Sequence, residues 1–205
     1  ALPINGFFNS KWRAAYEGIN RANTTIRIAT ASTEVSDAER AQYIAQARFL
    51  RGHYYSELKK MFNNVPWIDE TVEKQAAVVN TVDIWPNIEA DFKFAMDNLP
   101  NTQTDVGKAN KWAAASYLAK SYLYQKKFPE AKGIFDQVIA QGVTSNGLKY
   151  ALVDKYKDNF DGATKNNAES VFAVQAAAND GTGTIDNANA GQMLNFPYGD
   201  SPFGC

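Results

Sequence analysis

The stretch AAASYLAKSYLYQKKFPEAKGIFDQVIAQG, Ala113 to Gly142, decides the fold. With Leu118 set at the seventh position of a tetratricopeptide unit, Ala119 falls at the eighth and Tyr122 at the eleventh. Phe128 then falls at the seventeenth, Ala131 at the twentieth and Phe135 at the twenty-fourth. At these positions large and small side chains let two antiparallel helices nest. The ends of the unit depart from the pattern: Ala115 stands for its tryptophan, Val138 for its late alanine and Val143 for its closing proline. The stretch predicts an α-hairpin. One helix runs from about Lys108 to Lys126, and the second opens at Pro129, a favoured first-turn residue, and ends at Gly142.

The preceding sequence extends the helical pattern. Trp12, Ala15, Tyr16, Ile19, Ala22 and Ile26 recur at three-and-four spacing, which predicts a helix from about Ser10 to Thr30. The stretch SDAE, Ser36 to Glu39, is a capping box, so a second helix should run from Asp37 to Phe62. Its apolar stripe is expected to be Ile44, Ala47, Leu50, Tyr54, Leu58, Met61 and Phe62. Asn63 and Asn64 tolerate left-handed backbone and Pro66 disfavours continuation, so the helix should stop there. A further helix is expected from about Val82 to Asn98, with Ile84, Trp85, Ile88, Phe92, Ala95 and Leu99 on its buried side. First with second, and third with fourth, these helices can pair as the hairpin does.

Beyond Gly142 the character changes. SVFAVQA, Ser170 to Ala176, is β-branched and aromatic and predicts a short strand. DGTGTIDNANAGQ is a Gly/Asn/Thr-rich loop, and MLNFPYGDSPFG is aromatic and irregular. The expectation is a mainly α protein of tetratricopeptide-like helix pairs, an α-α superhelix, with a loop-rich, short-strand C-terminal portion. Residues 1–145 are expected to form the helical scaffold and residues 146–205 a loop- and strand-rich, truncated segment, one domain overall. ALPINGFFNSKW opens like the middle of something and SPFGC stops without a closing helix, so the chain is expected to be an excerpt of a longer protein.

Composition narrows the chemistry. Lys plus Arg is 21 against 22 for Asp plus Glu, a net charge of −1, so no basic excess exists to neutralise nucleic-acid phosphates. The single cysteine, Cys205, rules out an intrachain disulfide and a multi-cysteine zinc site within the chain. No apolar run approaches the roughly eighteen residues that span a bilayer. The aromatic share of 13% is somewhat high; rings serve cores first, and they also stack on sugars.

Catalytic motifs find little footing. The only histidine, His53, sits mid-helix beside Gly52 and Tyr54, where a packed histidine is the plainer reading. GDSPFG, Gly199 to Gly204, resembles a nucleophile elbow around Ser201, but Phe203 stands where that motif needs glycine. Gly107 and Lys108 lack the rest of a phosphate loop. Asp154, Asp158 and Asp161 miss the EF-hand spacing and read as loop acids. No metal or cofactor is expected. Arg48 and Arg51, one turn apart, read as partners for acids on a neighbouring helix rather than as ligand contacts. Trp67 reads as a plug over the helix ends before it reads as a binding platform. Phe196, Tyr198 and Phe203 lie off any periodic face, where binding and packing are equally open.

The order of these pieces resembles a known family. WRAAYEGINRAN, Trp12 to Asn23, is similar to its helix W-x-x-x-Y-x-x-I-x-x-A-N. ARFLRGHYYSEL, Ala47 to Leu58, followed by Val65, Pro66 and Trp67, resembles its segment A-R-F-L-R-A-x-Y-Y-x-x-L followed by G-x-V-P. IEADF, Ile88 to Phe92, leads to Leu99 and Pro100, and GKANK, Gly107 to Lys111, precedes the hairpin. NAESVFAV, Asn167 to Val174, resembles N-x-E-x-I-F-x-V. This collinear set resembles the SusD/RagB family of Bacteroidetes outer-membrane lipoproteins. Gly52 replaces the usual alanine, and Asn63-Asn64 the usual Phe-Gly.

The resemblance implies a non-enzymatic, cell-surface nutrient-binding lipoprotein of the outer membrane. Such proteins act as a lid on a TonB-dependent, SusC-like transporter and capture oligosaccharides, or in some members peptides. It implies a lipid anchor ahead of Ala1, which Cys205 cannot supply, and a C-terminal part beyond Cys205. It also implies ligand contacts before the first helix and after Val174. By position alone, Phe7, Phe8, Asn195, Phe196 and Tyr198 are the nominated ligand-binding residues. A ring face can stack on the apolar C–H face of a pyranose while an amide bonds its hydroxyls.

Two other readings compete. A generic tetratricopeptide module would bind a peptide in its groove, but such arrays repeat regularly and only one unit matches well here. A helical glycoside hydrolase would need two carboxylates about 5–10 Å apart across a cleft. Glu17, Asp91 and Glu169 qualify only as any acid does.

Overall fold

The structure, a computed structural model, describes residues 6–73 and 75–175, less the side chains of Phe7 and Ala76. The chain divides into two compact units, Ala1–Phe172 and Ala173–Cys205; of the second, only residues 173–175 are described. In the first unit, five helices follow in order: α1 Gly6–Ala31, α2 Asp37–Phe62, α3 Trp85–Asn98, α4 Lys111–Tyr124 and α5 Phe128–Gln141. Each packs on the next, and α2 also touches α4. This is the expected mainly α, tetratricopeptide-like arrangement.

Local chemistry sets the helix ends. Ser36 Oγ accepts from the Glu39 amide while Glu39 Oε2 accepts from the Ser36 amide at 3.0 Å, the capping box read from sequence. Asn63, at φ 62°, closes α2 as expected, and its amide bonds Lys59 O. The Asn110 side chain accepts from the Ala113 amide at 2.8 Å and starts α4 three residues later than expected. α3 starts at Trp85 rather than Val82, because Pro86 fits a first turn. α1 starts at Gly6 rather than Ser10, which puts Phe7 and Phe8 on a helix instead of a preceding loop.

The core explains which side chains are hidden. On α1 the stripe Ala15, Ile19, Ala22 and Ile26 is buried, and on α3 Ile88, Phe92 and Ala95 are. On α2 the expected stripe fails in part: Leu50 and Met61 are exposed, while Ala45, Phe49 and Tyr55 are buried. The cause is that α2 contacts α1, α3 and α4, so its apolar residues spread around the helix. α4 lies between α3 and α5. Small Ala113, Ala114, Ala115 and Ala119 admit both neighbours, and all four are buried. Close approach of α1 to α2 is fixed at Gly18, where an added Cβ would lie 2.3 Å from the Tyr54 ring. At Gly52 an added Cβ would meet the Phe92 ring at 3.0 Å. That contact is a physical reason for glycine where the resembled family carries alanine.

After α5 the chain turns at Gly147, whose φ of 88° suits glycine, and a single antiparallel bridge joins Val143 to Lys149. Thr144 and Ser145 are buried; Ser145 Oγ donates to Lys108 O at 2.8 Å and ties this turn to the loop before α4. The strand expected over 170–176 is a correction: residues 171–175 form no ladder among the described residues. The β-branched and aromatic character that suggested it places Val171 and Phe172 against the helical core instead.

Candidate functional site

Three features could bear function. The first is a ladder of rings along α1 and α2. Phe8, 42% exposed, stands edge-on to Phe62 at 6.2 Å. Phe62 meets Trp12 at 5.1 Å, and Trp12 meets Tyr16 at 4.8 Å. Tyr16 is edge-on to Tyr55, which stacks on Trp67 at 4.2 Å. Tyr16 Oη donates to Pro66 O at 2.8 Å, and Tyr55 Oη donates to Ile68 O at 3.0 Å. Trp67 is therefore the plug expected of it, half-buried on the core rather than a free platform. At the exposed end of the ladder Phe8 meets Phe62 edge-on and leaves ring surface open to a stacking contact.

The second feature is a buried ionic cluster at the other end of the ladder. Arg51 Nε and Nη2 donate to the two Asp91 oxygens at 2.7 and 2.9 Å, and Arg48 Nε donates to Asp91 Oδ1 at 2.7 Å. Arg51 Nη1 also donates to Asn23 Oδ1 at 2.8 Å and to Glu70. Burial works against the Arg51 charge, yet Asp91 and then Glu70 hold the guanidinium above its ordinary value. The arginines pair with an acid of the neighbouring helix, as read from their spacing, and join α1, α2, α3 and the segment after α2. This cluster is structural: Asp91 is 1% exposed and spent on two guanidiniums. Glu169 Oε1 accepts from the Val153 amide at 2.8 Å, and Glu17 pairs with Arg21 on the surface. The acids weighed for hydrolysis thus do local work.

The third feature had no signal in single-residue reading. Trp85 and Tyr124 lie nearly parallel, 19° apart with centroids at 6.1 Å, beside an open pocket between α2, α3 and α4. Helical spacing puts Tyr117, Lys120, Ser121 and Tyr124 along one side of α4. Only the packing of α2 against α4 turns that side into a concavity.

His53 is half-buried against Tyr54 and Tyr117, and burial lowers its pKa, as for a packed histidine. Asp161 caps a short 3-10 turn through the Ala163 amide at 2.9 Å, and Asp158 lends its carbonyl to Thr164. Phe172 seats its ring 4.9 Å from Phe49 of α2 and 6.3 Å from Tyr117 of α4. Of the five nominated ligand residues, Phe8 is on the exposed ladder end. Phe7 lies on α1 without a described side chain, and Asn195, Phe196 and Tyr198 lie outside the described residues, as do Ser201 and Phe203.

Comparison with known proteins gives a consistent answer. The SusD-like family model described as "Starch-binding associating with outer membrane" matches residues 3–123. A SusD-like protein of Bacteroides ovatus is 30% identical over 178 residues, 80% of this chain and 32% of the relative. Among solved structures, a laminarin-binding SusD-like protein superposes with a TM-score of 0.71 at 30% identity, over 80% of this chain and 36% of its own. A structure solved with a xylogluco-oligosaccharide gives a TM-score of 0.73 at 25% identity, over 86% of this chain and 37% of its own. The chain thus spans about a third of the length of these relatives.

Proposed function

Because the chain belongs to the SusD-like family of starch-binding, outer-membrane-associated proteins, we propose that it is the helical scaffold of a cell-surface protein that captures oligosaccharides. The observation that carries this is the 30% identity to a laminarin-binding SusD-like protein, at a TM-score of 0.71 over 80% of the chain. In this reading the protein is a lipoprotein of the outer membrane. It sits with a SusC-like, TonB-dependent transporter and hands oligosaccharide to it without cleaving it.

Capture needs a pre-formed surface more than chemistry. Phe8, with Phe7, Asn195, Phe196 and Tyr198, would supply ring faces for the C–H side of a pyranose and an amide for its hydroxyls. The edge contact with Phe62 restricts the Phe8 ring and so lowers the entropy it would lose on binding. The groove-binding module is less well supported, because Phe172 of the chain itself lies between α2 and α4.

The test is co-purification. The intact protein is tagged, the outer membrane is solubilised in mild detergent, and whatever accompanies it is identified by mass. The proposal expects a stoichiometric β-barrel of the TonB-dependent class. Soluble proteins alone, or none, would favour the groove-binding module.

A further inference from the structure

The pocket between α2, α3 and α4 has a composition of its own. It is a shallow concavity of about 310 Å³, open solvent at its mouth included, that could seat one face of a sugar ring rather than enclose it. Three aromatic rings line it, those of Trp85, Tyr117 and Tyr124. Tyr124 is 54% exposed, and Trp85 lies nearly parallel beside it. Among the described residues Glu57 is the only acid in the lining, and it is already occupied: Lys60 bonds it, and Lys11 Nζ stands 3.5 Å from its other oxygen. Lys60 Nζ also lies 5.7 Å from the Tyr124 ring centroid. Lys120 lines the same pocket and has no acidic partner among the described residues. Among the described residues the lining therefore carries one carboxylate, Glu57, against the ammonium groups of Lys60 and Lys120, with Lys11 beside Glu57, and the surplus charge is positive.

The hydroxyls are arranged to accept. Ser56 Oγ donates to His53 O at 2.8 Å, and Ser121 Oγ donates to Tyr117 O at 2.9 Å. Both serines are buried at the pocket wall, and with their protons committed to the backbone each oxygen can only accept from a further donor. An exposed ring, an unpaired ammonium and two acceptor hydroxyls match a ring-shaped ligand that carries several hydroxyls and one negative charge.

We propose that this pocket is a subsite for an acidic sugar, a hexuronate unit, separate from the surface around Phe8. The carboxylate pairs with Lys120 and Lys60. The C–H face of the pyranose lies on Tyr124, and ring hydroxyls donate to Ser56 and Ser121. This assignment rests on the saccharide reading above and adds a charge preference to it.

The test titrates the intact protein with trigalacturonate and, separately, with neutral laminari- and xyloglucan oligosaccharides. The variants are Lys120→Gln and Tyr124→Ala, both at exposed positions, with Lys132→Gln on α5 as control. Trigalacturonate should bind, and more weakly at high salt. Its affinity should fall about tenfold or more in either pocket variant, the cost of one charge-assisted or stacking contact. It should be unchanged in the control, and neutral oligosaccharides should bind all forms alike. Absence of trigalacturonate binding, or equal binding by wild type and both pocket variants, overturns the inference. If neutral oligosaccharides still bind in that case, the capture reading stands without it; if no saccharide binds, both readings fall.

Discussion

Arg51 and Asp91 meet face to face across the α2–α3 interface. Nε donates to Oδ2 at 2.7 Å and Nη2 to Oδ1 at 2.9 Å, with side chains 4% and 1% exposed. A two-bond pair of this kind fixes orientation as well as distance, so it sets the register of α3 on α2. Asp91→Ala leaves two guanidiniums without their shared acid. The expected loss is about 3 kcal/mol, the low end for breaking a buried pair, since Glu70 still holds Arg51. Urea denaturation measures it. A loss below about 1 kcal/mol would mean that apolar packing alone sets the interface.

Two glycines should respond with opposite sign. Gly133 of α5 has open space around it, so Gly133→Ala should stabilise by about 0.5–1 kcal/mol. Gly18 of α1 faces the Tyr54 ring, so Gly18→Ala should destabilise by about 1–2 kcal/mol, overpacking outweighing helix propensity. Adding Tyr54→Leu should recover part of that loss. Thermal melts of the three variants decide it, and two shifts of the same sign would contradict the close α1–α2 approach.

Asn110 is fully buried and makes three bonds. It caps α4 through the Ala113 amide, and its Nδ2 donates to Asn101 O and Val143 O, each at 2.8 Å. Asn110→Ala should cost about 2–4 kcal/mol, a lost cap plus carbonyls left without a donor. Asn110→Asp keeps the cap but sets a buried carboxylate oxygen against both carbonyls, so it should cost at least as much as alanine at neutral pH. An alanine variant within about 0.5 kcal/mol of wild type would refute this role.

His53 makes stability fall on mild acidification. Burial lowers its pKa first; Glu57 pulls it back up, while Lys11, Lys60 and Lys120 push it down. The unfolded chain then binds the proton more readily than the folded one. Stability is full above the ordinary histidine pKa, about 6.5, and declines as pH falls below it. The carboxyls held below their ordinary values, Glu57 and Asp83 among them, act only at lower pH. Urea midpoints at pH 7.5 and 5.5 should therefore differ, and His53→Gln should abolish the difference. A variant with an unchanged pH slope would place the effect elsewhere.

Much of the scaffold was legible because its signals are local. The SDAE box, the Asn63 stop and the three-and-four spacing in α1 and α3 each act within a turn or two. What a helix meets on its other sides is not local. α2 hides Phe49, Tyr55 and Arg51 rather than Leu50 and Met61, because three helices surround it. The segment at Phe172 has strand composition but no strand partner among the described residues, and pairing is a property of two segments. The spacing of Arg48 and Arg51 foretold an acidic partner, and the fold supplied Asp91. Of the nominated ligand residues only Phe8 has a described side chain, and its neighbour Phe62 lies on another helix. The pocket at Trp85 and Tyr124 draws on three helices and so had no sequence signature.

The most direct test of glycan capture is calorimetric titration of the intact protein with a panel of neutral oligosaccharides, laminari-, malto- and xyloglucan-derived. Each mixture is then checked for cleavage products. At least one oligosaccharide should bind with a Kd of about 1 mM or tighter and be recovered intact, and Phe8→Ala should weaken it. Binding to none of the panel, or recovery of shortened sugars, would contradict the account.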